Sequence, residues 1–415
     1  MMAPRWYRDL DPNGRRAFAS TYAAFSMDAM NIQLYSFILP VLLTLWHLSP
    51  SAGGLLATVT LVASAAGGWL AGMLSDRLGR VRVLKATILW MALSTMACGL
   101  AQSYEQLLVA RIIQGVGFGA EWAVGAVFMG EIAAAATRGR LVGTAQSAWA
   151  IGWGLAALSA TLATALLPAE PGWRAAFFLS LPAAGAIFLV RRRLEESPTF
   201  LAACPAGSGP RGQDWHRIFA APMLGNTLRG SLLAIGTHGG YWALATWWPT
   251  MLKLERGMTI AQAATHMAML VGGSLAGYAI GATLSDRIGR RGTLALFAAG
   301  GIVTVLVATE LPLSDAALLA LGAPLGLFAM GLYSAIGPVL NELYPTRLRG
   351  SGLGFCYNVG RGVAGLAPFA VGGSIATYGI AHSIGIYVSV AYVLVLVAAL
   401  LLRETRGMEL MGVEA

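Results

Sequence analysis

The sequence predicts an all-α membrane protein, with twelve transmembrane helices arranged as two pseudo-symmetric halves of six. Three observations predict it. Hydrophobic residues make up 57% of the 415 and charged ones only 11%, against roughly 25% charged in a soluble domain. Apolar runs of about 20 residues, the length that crosses a hydrocarbon core of about 30 Å, follow one another along nearly the whole chain. Finally, LSDRLGR at 74–80 returns as LSDRIGR at 284–290, an offset of 210, which marks a duplicated unit. This composition excludes a soluble enzyme and a nucleic-acid binder, so the net charge of +9 needs another reading: basic residues collect in cytoplasmic loops.

The predicted spans are 18–43, 50–73, 83–100, 105–132, 140–165, 173–193, 222–250, 261–284, 292–309, 315–340, 350–374 and 381–402. Their continuous apolar character rules out a barrel, whose strands would show only about 10 residues of alternating hydrophobicity. The first span follows Arg5, Arg8, Arg15 and Arg16 and is too long, with no small-residue cleavage site, for a signal peptide. The loops after spans 2, 4, 8 and 10 carry basic residues at 77–85, 138–140, 287–291 and 347–349. The sixth span ends in Arg191, Arg192 and Arg193, and the polar stretch 194–217 that follows, with EESP and PAGSGPRGQD, links the halves. The expected division is therefore 1–195, a cytoplasmic linker at 196–218, and 219–415. Of the 28 Lys and Arg residues, 22 fall on one side of this topology and only Arg174, Lys253 and Arg256 in loops on the other, which places both termini in the cytoplasm.

The duplication extends further. Glu131 with Arg138 and Gly139 returns as Glu342 with Arg349 and Gly350, an offset of 211, and Pro40 in the first span answers Pro249 in the seventh. Three charges inside the spans break the symmetry: Asp28 aligns with His238, Glu121 near Leu332, and Arg361 with Ala150. A charge at the centre of a spanning helix costs at least about 2.5 to 3.5 kcal/mol on insertion scales, so it is a functional candidate by default. At about 1.5 Å per residue, Asp28 lies about 15 Å into the first helix and Arg361 about 16 Å into the eleventh. That depth is where transporters built from repeats hold substrate and coupling ions.

GMLSDRLGR at 72–80, ARIIQGVGFGAEW at 110–122, NELYPTRLRG at 341–350 and RETRG at 403–407 together resemble the major facilitator superfamily along the whole chain. The second loop copy departs from the pattern, with its glycine at Gly281 and Ala282 at the expected position. More narrowly, SMDAMNIQLYSFILP at 26–40, GGYWALATWWPT at 239–250 and YNVGRGVAGLAP at 357–368 resemble proton symporters of organic acids, including the sialate, aromatic-acid and niacin branches. The aromatic-acid branch has a second acid three residues after the first, where this chain has Asn31. The resemblance implies a proton-coupled importer of a small organic anion. It would work by alternating access in a bacterial-type inner membrane, with protons and the lipid bilayer as its other partners, and as a monomer. Export of drugs or metabolites by proton antiport is the alternative. No cofactor, metal site or enzymatic activity is expected, since the sequence holds neither HExxH nor GxSxG.

Roles follow for individual residues. Arg361 offers a planar fork to a substrate carboxylate, or else closes a structural ion pair. Asp28 in alternating contact with Arg111 would load and release a proton; a permanent pair between them would merely fix two helices. Glu121, after Gly115, Gly117 and Gly119, is a second proton carrier, an acceptor for substrate, or half of a buried pair. Asn31, Gln146, Tyr241, Tyr357, Asn358 and His238 are candidate substrate contacts, whereas Trp247 and Trp248 read as interfacial anchors. Asp76, Arg77, Arg80, Glu131 and Arg138, repeated as Asp286, Arg287, Arg290, Glu342 and Arg349, read as gate latches at cytoplasmic helix ends.

Overall fold

A computed structural model describes residues 5–8, 10–132, 141, 144–197, 200–201 and 215–404, and no strand occurs among them. The first half comprises α1 (Pro12–Leu45), α2 (Pro50–Leu78), α3 (Arg80–Leu100), α4 (Tyr104–Ile132), α5 (Ala148–Leu166) and α6, broken into Ala169–Phe178 and Leu181–Arg191. The second comprises α7 (Ala221–Leu254), α8 (Ile260–Ile288), α9 (Arg290–Glu310), α10 (Asp315–Glu342), α11, broken into Thr346–Ala364 and Ala367–Tyr378, and α12 (Ile380–Leu401). Eleven of these are apolar enough to cross a membrane by composition. The exception, α7, is a continuous helix of 34 residues that carries Asn226, Arg229, Thr237 and His238 among its apolar residues. Pro40 and Pro249 stand inside α1 and α7 at equivalent points.

Two compact units emerge, Met1–Leu34 with Ala63–Gln213, and Tyr35–Val62 with Asp214–Ala415. Residues 35–62 of the first half belong to the second unit, where Thr58 Oγ1 accepts the amide hydrogen of Phe369 at 3.3 Å and Gly54 lies against the backbone of Pro368 and Phe369. Tyr35 donates to the Gly53 carbonyl at 2.6 Å in the same unit.

Small residues let helices of each unit meet at backbone distance, the main source of packing where lipid is as apolar as leucine. In the first unit Gly119 of α4 abuts the Ser64 carbonyl of α2, and Gly67 abuts Val116. In the second, Gly326 of α10 abuts Leu270 of α8, and Gly273 abuts Ala323. Gly117, Gly119 and Gly125 of α4 are thus packing residues.

A further device recurs three times. Gly79 (φ 93°), Gly289 (φ 88°) and Gly379 (φ 78°) adopt the left-handed conformation immediately before α3, α9 and α12, so one helix stops and the next starts with no intervening loop. The exposed first amides of each new helix are then taken by a carboxylate distant in sequence. Glu196 accepts from Arg80 N at 3.0 Å and Val81 N at 3.1 Å. Glu404 accepts from Arg290 N at 2.9 Å and Arg291 N at 3.1 Å. Glu255 accepts from Ile380 N at 2.5 Å and Ala381 N at 3.0 Å. In the turn between α10 and α11, the Tyr344 hydroxyl donates to Thr227 Oγ1 at 2.9 Å, and burial pushes that phenol up from its ordinary pKa.

Candidate transport site

In the first unit the site starts from Asp28 on α1, which is 2% exposed. Neither of its carboxyl oxygens has a hydrogen-bond partner among the described residues. Asn31, one helical turn on and therefore on the same face, is equally buried, with its amide oxygen and nitrogen both unpartnered. The charges that act on Asp28 are Glu121 and Arg191. Glu121 on α4 accepts from Arg191 Nη1 at 2.8 Å, from Arg191 Nη2 in a second and shorter contact, and from the Thr87 hydroxyl of α3 at 2.5 Å. Arg191 Nη1 also donates to the Leu84 carbonyl at 2.7 Å. Of the three readings of Glu121, the geometry is that of the buried ion pair, tying α3, α4 and α6 together.

The sequence counts Arg191 with Arg192 and Arg193 among the basic residues on the cytoplasmic side, but Arg191 is completely buried. Three consecutive arginines look alike on a hydropathy plot, yet successive residues turn by about 100° around a helix, so Arg191 points inward while Arg192 and Arg193 are exposed. The expected contact between Asp28 and Arg111 is also absent, since no hydrogen bond or ion pair joins them. Arg111 lies ten residues before Glu121 on α4, about 15 Å along the axis, and its Nη1 donates instead to Gln114 Oε1 at 2.7 Å. Gln114 in turn donates to Thr95 Oγ1 at 3.0 Å. Gln146 accepts from Trp122 Nε1 at 3.2 Å.

The second unit gathers its polar residues around Arg361 of α11, which is 3% exposed. The guanidinium carbon lies 5.1 Å from the centre of the Tyr357 ring, and the two side chains are hydrogen-bonded as well. A cation over a ring face in a desolvated setting gains about 2 kcal/mol. The Tyr357 ring also meets the His238 imidazole edge to face at 4.6 Å. His238 Nδ1 is 2.7 Å from the Tyr333 hydroxyl, and Tyr333 packs against Tyr241 at 5.8 Å. Asn358 Nδ2 is spent on the Gly354 carbonyl at 2.9 Å. Four predicted contacts, Arg361, Tyr357, His238 and Tyr241, thus form one cluster with Tyr333. Trp247 and Trp248 are corrected from interfacial anchors to core residues, both fully buried, Trp247 Nε1 donating to the Pro368 carbonyl at 2.9 Å.

At the helix junctions the duplicated residues adopt duplicated geometry. Arg80 binds Glu131 through Nε at 3.1 Å and Nη2 at 2.9 Å, with Nη1 on the Ser75 carbonyl at 2.8 Å. Arg290 binds Glu342 through Nη2 at 3.1 Å, with Nη1 on the Ser285 carbonyl at 2.8 Å. Each pair ties the start of one helix to the end of another within its own unit. Arg77 and Arg287 are exposed. Arg138, and the side chains of Asp76, Asp286 and Arg349, lie outside the described residues. Sequence reasoning missed Glu196 and Glu404 as partners of these junctions; the signal was an acid in the same place after the sixth and twelfth spans, in EESP and RETRG.

The chain is similar to known proteins in sequence and in fold. The chain is 38% identical over 402 residues, 97% of its length and 93% of the relative's, to a probable 4-methylmuconolactone transporter of Cupriavidus pinatubonensis. It is 29% identical to a cis,cis-muconate transport protein of Acinetobacter baylyi, over 86% of each chain. Among solved structures, the proton:xylose symporter bound to 6-bromo-6-deoxy-D-glucose superposes with a TM-score of 0.75 at 18% identity, covering 96% of this chain and 97% of the other, a likeness of fold. Residues 21–367 match the profile of the Major Facilitator Superfamily. By this match and the 38% identical relative, the twelve-helix chain is a multi-pass inner-membrane protein and not an enzyme; it belongs to the Major Facilitator Superfamily.

Proposed function

We propose that this protein imports a small organic acid together with protons by alternating access, with both termini in the cytoplasm. The observation that carries the reading is Asp28, a carboxyl at mid-helix depth whose two oxygens have no partner among the described residues. Such a group is costly as an isolated anion in a water-free interior, so its charge follows its access to water, which is the property a proton carrier needs. The Glu121–Arg191 pair supplies a fixed pair of charges beside it, in the place expected of Arg111. The buried Arg361 guanidinium, oriented on Tyr357, matches the planar geometry of a carboxylate, and the relatives named for muconate and a muconolactone support an organic acid as cargo. The Arg80–Glu131 and Arg290–Glu342 junctions are read as parts of the gate. The excess of Lys and Arg on one side of the topology supports the orientation.

The experiment is uptake of labelled acids into proteoliposomes with and without an imposed proton gradient. Wild type should accumulate the acid only with the gradient, and Asp28→Asn should lose accumulation while still exchanging internal for external substrate. Continued gradient-driven accumulation by Asp28→Asn would remove Asp28 from the coupling site.

A further inference from the structure

We propose that His238 is the specificity-determining residue of the second unit. It would select carboxylic acids that carry a second oxygen acceptor, such as a carbonyl, over acids of the same shape that lack one. His238 is 2% exposed, and its Nε2 has no hydrogen-bond partner among the described residues. Its other nitrogen is held by the Tyr333 hydroxyl at 2.7 Å. A neutral imidazole has one donor and one acceptor nitrogen, and a phenol is the natural donor to the acceptor nitrogen. Taking Tyr333 as the donor to Nδ1 puts the ring hydrogen on Nε2, a buried donor with no acceptor among the described residues. The ring is also fixed in orientation, since it stands edge to face against Tyr357 at 4.6 Å with an interplanar angle of 90°.

Tyr357 makes the connection to Arg361. Its ring centre is 4.6 Å from the His238 ring and 5.1 Å from the Arg361 guanidinium carbon. Both groups thus border the same ring, and the inference is that one small planar acid reaches both, its carboxylate on Arg361 and a second oxygen on Nε2–H. An acid with the acceptor pairs a buried donor that an acid of the same shape without it leaves unpaired, so the site favours the former. This inference rests on the reading of Arg361 as the carboxylate site.

The test compares 3-acetylbenzoate with 3-isopropenylbenzoate, which match in shape and differ in a carbonyl oxygen against a methylene, together with the two corresponding amides. Binding is measured on purified protein. Wild type should bind the acetyl acid about tenfold or more tightly than the isopropenyl acid, and both acids above their amides. His238→Phe should hold the two acids within about twofold of each other, because the ring stays and the donor goes. Tyr333→Phe should narrow the preference with His238 still present, because the tautomer is no longer imposed; an unchanged preference there would overturn the role given to Tyr333. Equal affinities of wild type for the two acids, with both still above their amides, would overturn the inference about His238 and leave the carboxylate reading standing. Affinities for the acids no higher than for the amides would overturn both. The comparison on wild type holds whether or not a variant folds.

Discussion

Asp28, Glu121, Arg191 and Arg361 are buried in helices of the two units, and each meets the cost of burial differently. Glu121 and Arg191 do so by pairing, with Thr87 and the Leu84 carbonyl as further partners. Removing one member of such a pair strands the other charge and costs about 3 to 5 kcal/mol, whereas replacing both by apolar residues is often neutral. Arg191→Ala should therefore lower the thermal unfolding midpoint in detergent sharply, and the double variant Glu121→Leu with Arg191→Met should recover most of it. An Arg191→Ala protein as stable as wild type would mean the pair holds nothing together. Arg361 makes a different demand, because lysine keeps the charge but loses the planar fork. Arg361→Lys is expected to lose substrate affinity by the equivalent of about 2 to 5 kcal/mol while folding normally. Titration calorimetry with the best transported acid decides it, and near-wild-type affinity would return Arg361 to a structural role. The mid-span charges were legible in the sequence as the ones that break the repeat. Arg191 was not, because helical phase, which hydropathy does not register, turns it inward.

At the scale of elements, the junctions before α3, α9 and α12 combine a left-handed glycine with a capping carboxylate. Gly79 has a φ of 93° and lies beside Glu196, so Gly79→Ala incurs backbone strain of about 1 to 3 kcal/mol and displaces the cap. Gly72, seven residues earlier in α2, has open space where a Cβ would go, so Gly72→Ala should be neutral or slightly stabilising, as glycine is the poorer helix former by about 1 kcal/mol. Urea or thermal unfolding of the two variants side by side reads the difference. Equal effects would show that the conformation at Gly79 imposes no constraint. The glycine and arginine of the junctions before α3 and α9 could be read from LSDRLGR and its repeat. The recurring acids of EESP and RETRG hinted at the carboxylates that complete them, but Glu196 lies 116 residues from Arg80 and only the fold shows that they meet.

For the molecule as a whole, orientation is testable with the cysteines the chain already has. Cys98 and Cys356 are fully buried, and Cys204 falls in the linker expected on the cytoplasmic side, outside the described residues. A membrane-impermeant thiol reagent should label the protein in inverted vesicles and not in right-side-out ones, with the label on Cys204; labelling from the outside would reverse the topology. The sequence by itself determined the twelve helices, the duplication and the family, because these rest on hydrophobic length and on repeated residues, both of which are linear properties. It also located Asp28 and Arg361, since charges at mid-span stand out against apolar neighbours. Only the tertiary structure decided that Glu121 pairs with Arg191 and that Asp28 makes no pair with Arg111. Only it joined residues 35–62 to the second unit, buried Trp247 and Trp248, and left Nε2 of His238 without a partner among the described residues. These depend on which face of each helix meets which neighbour, and side-chain partners separated by tens to hundreds of residues are fixed by packing rather than by spacing.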